Sequence, residues 1–397
     1  MCDFFKNKLN QHLLLYFLLL TIYAVFSYSL TAPNLVLTSW PPYWRFQTWM
    51  WSNFFNNRQL LTCSYLALLI SLFITYFKII KTWPKKQQIS RWLPLLIASP
   101  LILSNNALSY DVFNYIFNAK MVVVYQANPH LQTALNFAGD NWTRFMHNTH
   151  TPAPYFYGWT SLSLLPYFLG GGKFLPTWLI FRLFSFLSFG LLSYLTIQFS
   201  QLKSLKWQLI LLLNPLLLIE VVSNVHNDLW MMTPALAAML LITRKKTNKN
   251  ILISFALLLF SASIKLATLA LIPLWLALVL PWKKAWPKFH KFITSSWPLL
   301  VSILLFLPLL TPRSKQFLPW YLIWSLVWLP LINKKWQAWK ISLLVLTISS
   351  MLRYAPYLWA GNYDGSAVSQ QQLITWIPFI LFWIINFFHR KLADKSS

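Results

Sequence analysis

The chain has 397 residues, of which 57% are apolar and 18% aromatic, and only 10% carry a charge. That balance excludes an ordinary soluble domain and points to a polytopic membrane protein. Lysine and arginine total 33 against seven acids, a formal charge of +26, but the basic residues cluster in short loops between apolar runs. Topology signals behave this way, so the charge does not imply a nucleic-acid partner.

The first apolar run, near 12–31, follows Lys6 and Lys8 and ends in SLTAPN without a small-x-small cleavage pattern, which predicts a retained anchor. Cys2 and Cys63 suggest neither a disulfide framework nor a metal site. An aromatic stretch, WPPYWRFQTWMW (40–51), then reads as an interfacial belt. Further runs near 59–77, 93–110, 174–198, 207–223, 229–243, 293–310, 317–332, 339–352 and 373–388 approach the roughly 20 residues that a bilayer crossing takes. Placing the clusters Lys78–Arg91, Arg244–Lys249, Lys283–Lys291 and Lys334–Lys340 in the cytoplasm, with both termini and the Lys203–Lys206 loop, has two consequences. Residues 250–281 become a hairpin turning near Ser261–Lys265, and 159–170 lies on or dips into the outer leaflet without crossing. The expected fold is all-α, a polytopic transmembrane bundle of about twelve spans with a large external loop bearing amphipathic juxtamembrane helices. Three regions follow: 1–92, an N-terminal transmembrane hairpin; 93–332, a catalytic module including the external loop 111–173; and 333–397, C-terminal helices and a tail.

Carboxylates near a bilayer are costly unless hydrated, paired or used, so the acids mark where chemistry sits. Asp3 and Asp394 fall in the tails. In SYDVFNYIFNAK, residues Asp111, Asn114, Tyr115 and Asn118 recur at three- and four-residue steps, opposite Val112, Phe113, Ile116 and Phe117, which predicts an amphipathic helix resting on the membrane. Asp111 reads equally well as a helix cap or as a catalyst. Downstream, His147 and His150 read as solvated loop histidines, and Asp140 and Asp364 receive no role. NPLLLIEVVSNVHNDLWMM (214–232) carries Glu220 inside an apolar run and His226-Asn227-Asp228 at a turn. Lys265 sits at the tip of the expected hairpin; Arg313 and Lys315 lie on the external side, against the positive-inside trend, which favours an anion-binding role. No Gly-rich nucleotide loop, Walker sequence or CxxC pair occurs.

Four stretches taken in order, SYDVFNYIFNAKMVVVYQANPH, PAPYFYGW, NPLLLIEVVSNVHNDLWMM and SIKLATLALIP, with a weaker echo in FLPWYLIW, resemble the GT-C class of integral-membrane glycosyltransferases. The resemblance is to bacterial mannosyltransferases that use polyprenyl-phosphate sugars, and it covers roughly 104–332. It implies a hexosyltransferase of the plasma membrane with its active site facing outside, a polyprenyl-phosphate sugar as donor, a cell-surface glycan or glycolipid as acceptor, and inversion at the anomeric carbon. Asp111 matches the catalytic base; Glu220 and the His226-Asn227-Asp228 pattern match groups that orient sugar or acceptor, with Asn114 and Tyr115 beside them. Lys265, Arg313 and Lys315 are candidates to hold the departing phosphate. No cofactor is expected; a divalent cation stays open, although a lone Asp111 preceded by Tyr110 departs from relatives with a DxD-type pair. The competing reading is a transporter or flippase of lipid-linked saccharides, against which stand the eight glycines and the lack of an internal repeat.

Overall fold

The computed structural model describes residues 7–33, 35–198, 205–307, 317–362 and 365–393. Among these residues there are helices, turns and loops but no strand. The longer helices, in chain order, are α1 (Lys8–Phe26), α2 (Pro41–Met50), α3 (Arg58–Thr82), α4 (Leu93–Ala98), α5 (Asp111–Val123), α6 (Tyr157–Leu169) and α7 (Phe174–Gln198). They continue with α8 (Leu205–Leu212), α9 (Asp228–Arg244), α10 (Asn248–Ile264), α11 (Ile272–Val279), α12 (Pro287–Phe306), α13 (Gln337–Leu352), α14 (Ala355–Ala360) and α15 (Ala367–Ala393). Starts are marked by side chains that satisfy the first free amides: Asn57 accepts from Leu60 N and Thr247 from Asn250 N.

Six segments among the described residues are long and apolar enough to cross a membrane: Lys8–Leu30, Arg58–Thr82, Phe174–Gln198, Leu205–Ser223, Lys334–Ala360 and Ala367–His389. The fold is therefore all-helical and membrane-spanning, but the expected count of about twelve is not reached by length and composition. Local breaks are the reason. The run at 93–110 stops as an α-helix at Ala98, passes through a 3-10 turn with Pro100, and is non-helical from Ser104. Likewise 317–332 is a 3-10 turn followed by the short helix Ile323–Leu326, bracketed by Pro319 and Pro330. Helix α6 has 13 residues, about 20 Å of rise, too short for a hydrocarbon core near 30 Å.

Residues 248–279 fold back on themselves. Helix α10 ends at Lys265, whose backbone is extended, and α11 returns beside it: the Trp275 indole donates to Ser254 Oγ at 3.0 Å and the Trp275 and Phe255 rings lie 5.2 Å apart. The hairpin turns where the charge pattern requires.

Helix α5 departs from the expected surface helix. Val112, Phe113, Ile116 and Phe117 are buried, and so are Asn114, Tyr115 and Asn118 on the opposite face. It is enclosed by α6 and α7, so its polar face meets protein groups and not water.

The broken segments share one polar junction. Arg182, in α7 and fully buried, donates to Ile102 O (2.6 Å), Leu101 O (2.7 Å), Ser104 Oγ (2.6 Å) and Asn106 Oδ1 (2.8 Å). Ser104 Oγ donates to Ser223 Oγ at 2.8 Å, and Asn105 N donates to Ser27 Oγ at 2.7 Å. Irregular backbone at membrane depth survives only where protein satisfies it, and Arg182 supplies most of the donors here. Arg182→Leu should leave several buried acceptors unpaired, each costing about 1–3 kcal/mol. A thermal scan in detergent should show a large fall in melting temperature or loss of the folded peak; an unchanged scan removes Arg182 from this role.

Candidate active site

The site forms where α5, the loop before α6, the turn before α9, the tip of the α10–α11 hairpin and the segment Pro319–Leu326 meet. Asp111 is the first residue of α5, and no side chain caps that helix. Its carboxylate instead accepts the Tyr155 hydroxyl proton at 2.6 Å, and Tyr155 receives a long bond of 3.4 Å from Tyr115. The cap reading of Asp111 therefore fails on geometry.

Glu220 lies in a π-helical turn, Leu218–Ser223, a local form often found at functional sites. Its two oxygens accept from Tyr354 OH (2.8 Å) and Asn224 Nδ2 (2.9 Å). Val225 follows with φ 62°. A β-branched residue in the left-handed region costs about 1–3 kcal/mol, which the surrounding packing must offset, and the next residue, His226, lies between two acids. Its Nδ1 lies 3.5 Å from Asp111 Oδ2 and its Nε2 lies 3.4 Å from Glu220 Oε2. Both separations exceed those of well-formed hydrogen bonds, so the contact is mainly an ion pair acting through space. The imidazole also stacks on Trp320, with ring centres 3.8 Å apart and planes within 20°.

Asp228 opens α9. It accepts from Lys265 Nζ at 2.8 Å and from the Trp324 indole at 2.5 Å. The ammonium sits among aromatic faces, 5.3 Å from the centre of Tyr155, 5.9 Å from Trp324 and 6.0 Å from Tyr321.

Solvent access separates the acids. The Glu220 and Asp228 side chains are sealed at 0% exposure, while Asp111 keeps 18% of its surface open and Lys265 keeps 11%. Burial favours the neutral form of Asp111, but His226, the Tyr155 hydroxyl and the Lys265 ammonium outweigh it and hold the carboxyl below the usual range. For His226, burial opposes the charge, yet the two carboxylates prevail and push its pKa up to about 9. Asn114 Oδ1, Asp228 Oδ2 and both polar atoms of the Asn227 side chain are buried without a hydrogen-bond partner among the described residues, an unusual concentration in one place.

Of the residues singled out in the sequence, Asp111, Tyr115, Glu220, His226, Asp228 and Lys265 converge, with Asn114 and Asn227 adjacent in chain. Arg313, Lys315 and Asp364 lie outside the described residues. Asp140 lies elsewhere, pinned by Lys120 Nζ at 2.5 Å, by Tyr125 OH at 2.8 Å and by Trp142 N at 2.9 Å. His147 lies tilted against Tyr110, with ring centres 4.0 Å apart. Unassigned in the sequence were Tyr155, Trp320, Tyr321, Trp324 and Tyr354. The first four fall within PAPYFYGW and FLPWYLIW, so the stretches were visible although the contacts were not. Nothing local marks Tyr354.

Residues 21–281 match a family model described as alpha-(1->6)-mannopyranosyltransferase, N-terminal domain. The chain belongs to this mannosyltransferase family. No curated protein and no solved structure compared with it gives a match. The matched part of this membrane mannosyltransferase includes Asp111, Tyr155, Glu220, His226, Asp228 and Lys265, whereas Trp320, Trp324 and Tyr354 come from the chain beyond it.

Two outcomes follow. His226 is raised from 6.5 to about 9, so the stability of its ion pairs is complete below about pH 6.5 and is lost as the pH rises through about 9. Melting temperatures across that range should show the alkaline loss in the wild type but not in His226→Gln; parallel curves argue against the pairing. Secondly, a Cβ on Gly158 would stand 2.6 Å from Ser263 O, while Phe156 N donates to Ile264 O at 3.0 Å. Gly158→Ala should force the Tyr155 loop off the hairpin tip, costing about 1–3 kcal/mol and lowering both turnover and melting temperature. Full activity in that variant contradicts the tight packing.

Proposed function

We propose that the chain is a GT-C mannosyltransferase that moves mannose from a polyprenyl-phosphate sugar to a hydroxyl of a cell-surface glycan or glycolipid, on the outer face of the plasma membrane, forming an α-(1→6) bond with inversion. The observation that carries this reading is the position of Asp111: of the four described acids, it has the most open side chain, and it stands beside the sealed Glu220, His226 and Asp228 and the partly open Lys265. In the proposed reaction, a carboxylate oxygen of Asp111 takes the acceptor hydroxyl's proton. The freed oxygen pair bonds to the anomeric carbon, and the bond from that carbon to the phosphate oxygen breaks, its electrons leaving with the lipid phosphate. A carboxyl held low is a weak base, so proton transfer comes late, when the attacking oxygen has already become acidic.

The neighbours fit supporting roles. His226 keeps Asp111 ionised and positioned, and Glu220 keeps His226 charged. Lys265, whose ammonium faces the Tyr155 ring and keeps part of its surface open, would with Arg313 and Lys315 take up charge on the departing phosphate. Asp228 holds Lys265 in place. The unpartnered atoms of Asn114, Asn227 and Asp228 suit sugar hydroxyls. No step requires a metal.

The test is mannose transfer from a synthetic polyprenyl-phosphate β-mannose by the full chain in detergent. Asp111→Asn keeps an acceptor for the Tyr155 proton but removes the base, and should lower kcat by about 10²–10⁴-fold with little change in donor KM. Unchanged turnover removes Asp111 from the role. Proton NMR of the product should show an α-glycoside; a β product rules out inversion.

A further inference from the structure

Near the reaction centre lies a cavity of about 700 Å³, between the loop that follows α1 and the segment 141–145. Its polar and indole lining comes from Thr38, Ser39, Trp44, Asn141, Trp142 and Arg144. Phe145 and Phe174, stacked with ring centres 4.2 Å apart, form part of its wall. We propose that this cavity binds the non-reacting sugar units of a saccharide acceptor, holding the chain while its terminal hydroxyl is presented at Asp111. The proposal rests on the transferase reading above and adds to it a site for the acceptor.

Three features select a saccharide. The volume falls within the roughly 300–1,000 Å³ of small-ligand sites, enough for more than one pyranose. Indoles with neutral hydrogen-bonding groups match a sugar, which has an apolar C–H face and a rim of hydroxyls. Trp44 is 47% exposed, and the Arg144 guanidinium carbon lies 4.9 Å from the Phe145 ring centre. The adjacent acid, Asp140, is turned to Lys120, Tyr125 and its own loop backbone. Arg144 is therefore the single charge among the lining residues, a poor match for a polyanion.

Position supports the same occupant. The lining comes from the segment that follows α1, from Trp44 in α2, from residues 141–145 and from Phe174, the first residue of α7, and all of it except Phe174 lies outside the apolar segments. This is the end that carries the base: Ala32 N donates to Tyr110 OH at 3.4 Å, and Phe145 packs 5.2 Å from Phe113, two residues after Asp111. Phe145 in the cavity wall thus packs directly against the first turn of α5.

The test compares wild type with Trp44→Ala and Arg144→Ala, two changes at exposed positions. With α-(1→6)-mannotriose as acceptor, each should raise the acceptor KM about tenfold at unchanged kcat, while methyl α-mannoside is used as before. Equal effects on both acceptors, or none on either, overturn the proposal. Saturation-transfer NMR of mannotriose on the full chain without donor gives a readout independent of turnover. Signal in the wild type that is lost in both variants supports the site even if no transfer occurs, in which case only the transferase reading fails. No mannotriose signal in the wild type, or equal signal in all three proteins, overturns it. Arg144-dependent binding of glycerol phosphate without mannotriose binding also overturns it, in favour of a lipid headgroup.

Discussion

The architecture depends on how the protein satisfies backbone that is not helical. Unpaired amides and carbonyls in a hydrocarbon layer cost several kcal/mol each, yet 99–106 and 218–227 leave α-helical geometry inside the bundle. The Arg182 fork gathers the carbonyls of Leu101 and Ile102 with the side chains of Ser104 and Asn106. The hydroxyls of Ser27, Ser104, Ser185 and Ser223, from four segments, close the remaining gaps. A buried guanidinium without a carboxylate partner is affordable only because so many acceptors converge on it. The same knot fixes the turn that carries Glu220 and His226.

Around that knot the charges alternate. Glu220, His226 and Asp111 form one series, and Asp228 with Lys265 another, with Tyr155 touching Asp111 and facing Lys265. Alternation lets five ionisable groups share a nearly dry space, since each carboxylate has a cation or hydroxyl donor beside it. The aromatic residues Trp320, Tyr321 and Trp324, in contact with one another edge-on or tilted, shield this arrangement, which strengthens every interaction inside it.

Much of this was legible in the sequence, for physical reasons. Acids are so few that each one outside the tails had to be explained, and three of the site's acids, Asp111, Glu220 and Asp228, were found that way. The hairpin at Lys265 followed from charge placement alone. Other features depend on tertiary packing. The apolar and polar faces of α5 look like a surface helix because periodicity reports which residues differ, not whether protein or water meets them. The runs at 93–110 and 317–332 are apolar enough to read as spans, and only their prolines and polar junctions hint that they break. The roles of Tyr155 and Tyr354 required distances: each reaches a carboxylate on a distant part of the chain.

The seam between Gly158 and Ser263 has a mechanical consequence. With no room for even a methyl group, and with Phe156 N bonded to Ile264 O, the loop bearing Tyr155 and the tip bearing Lys265 share one rigid joint. A swing of that loop away from Asp111 would pull the hairpin tip with it and loosen Lys265 from Asp228. Opening the reaction centre and baring its cation are, in this geometry, a single movement.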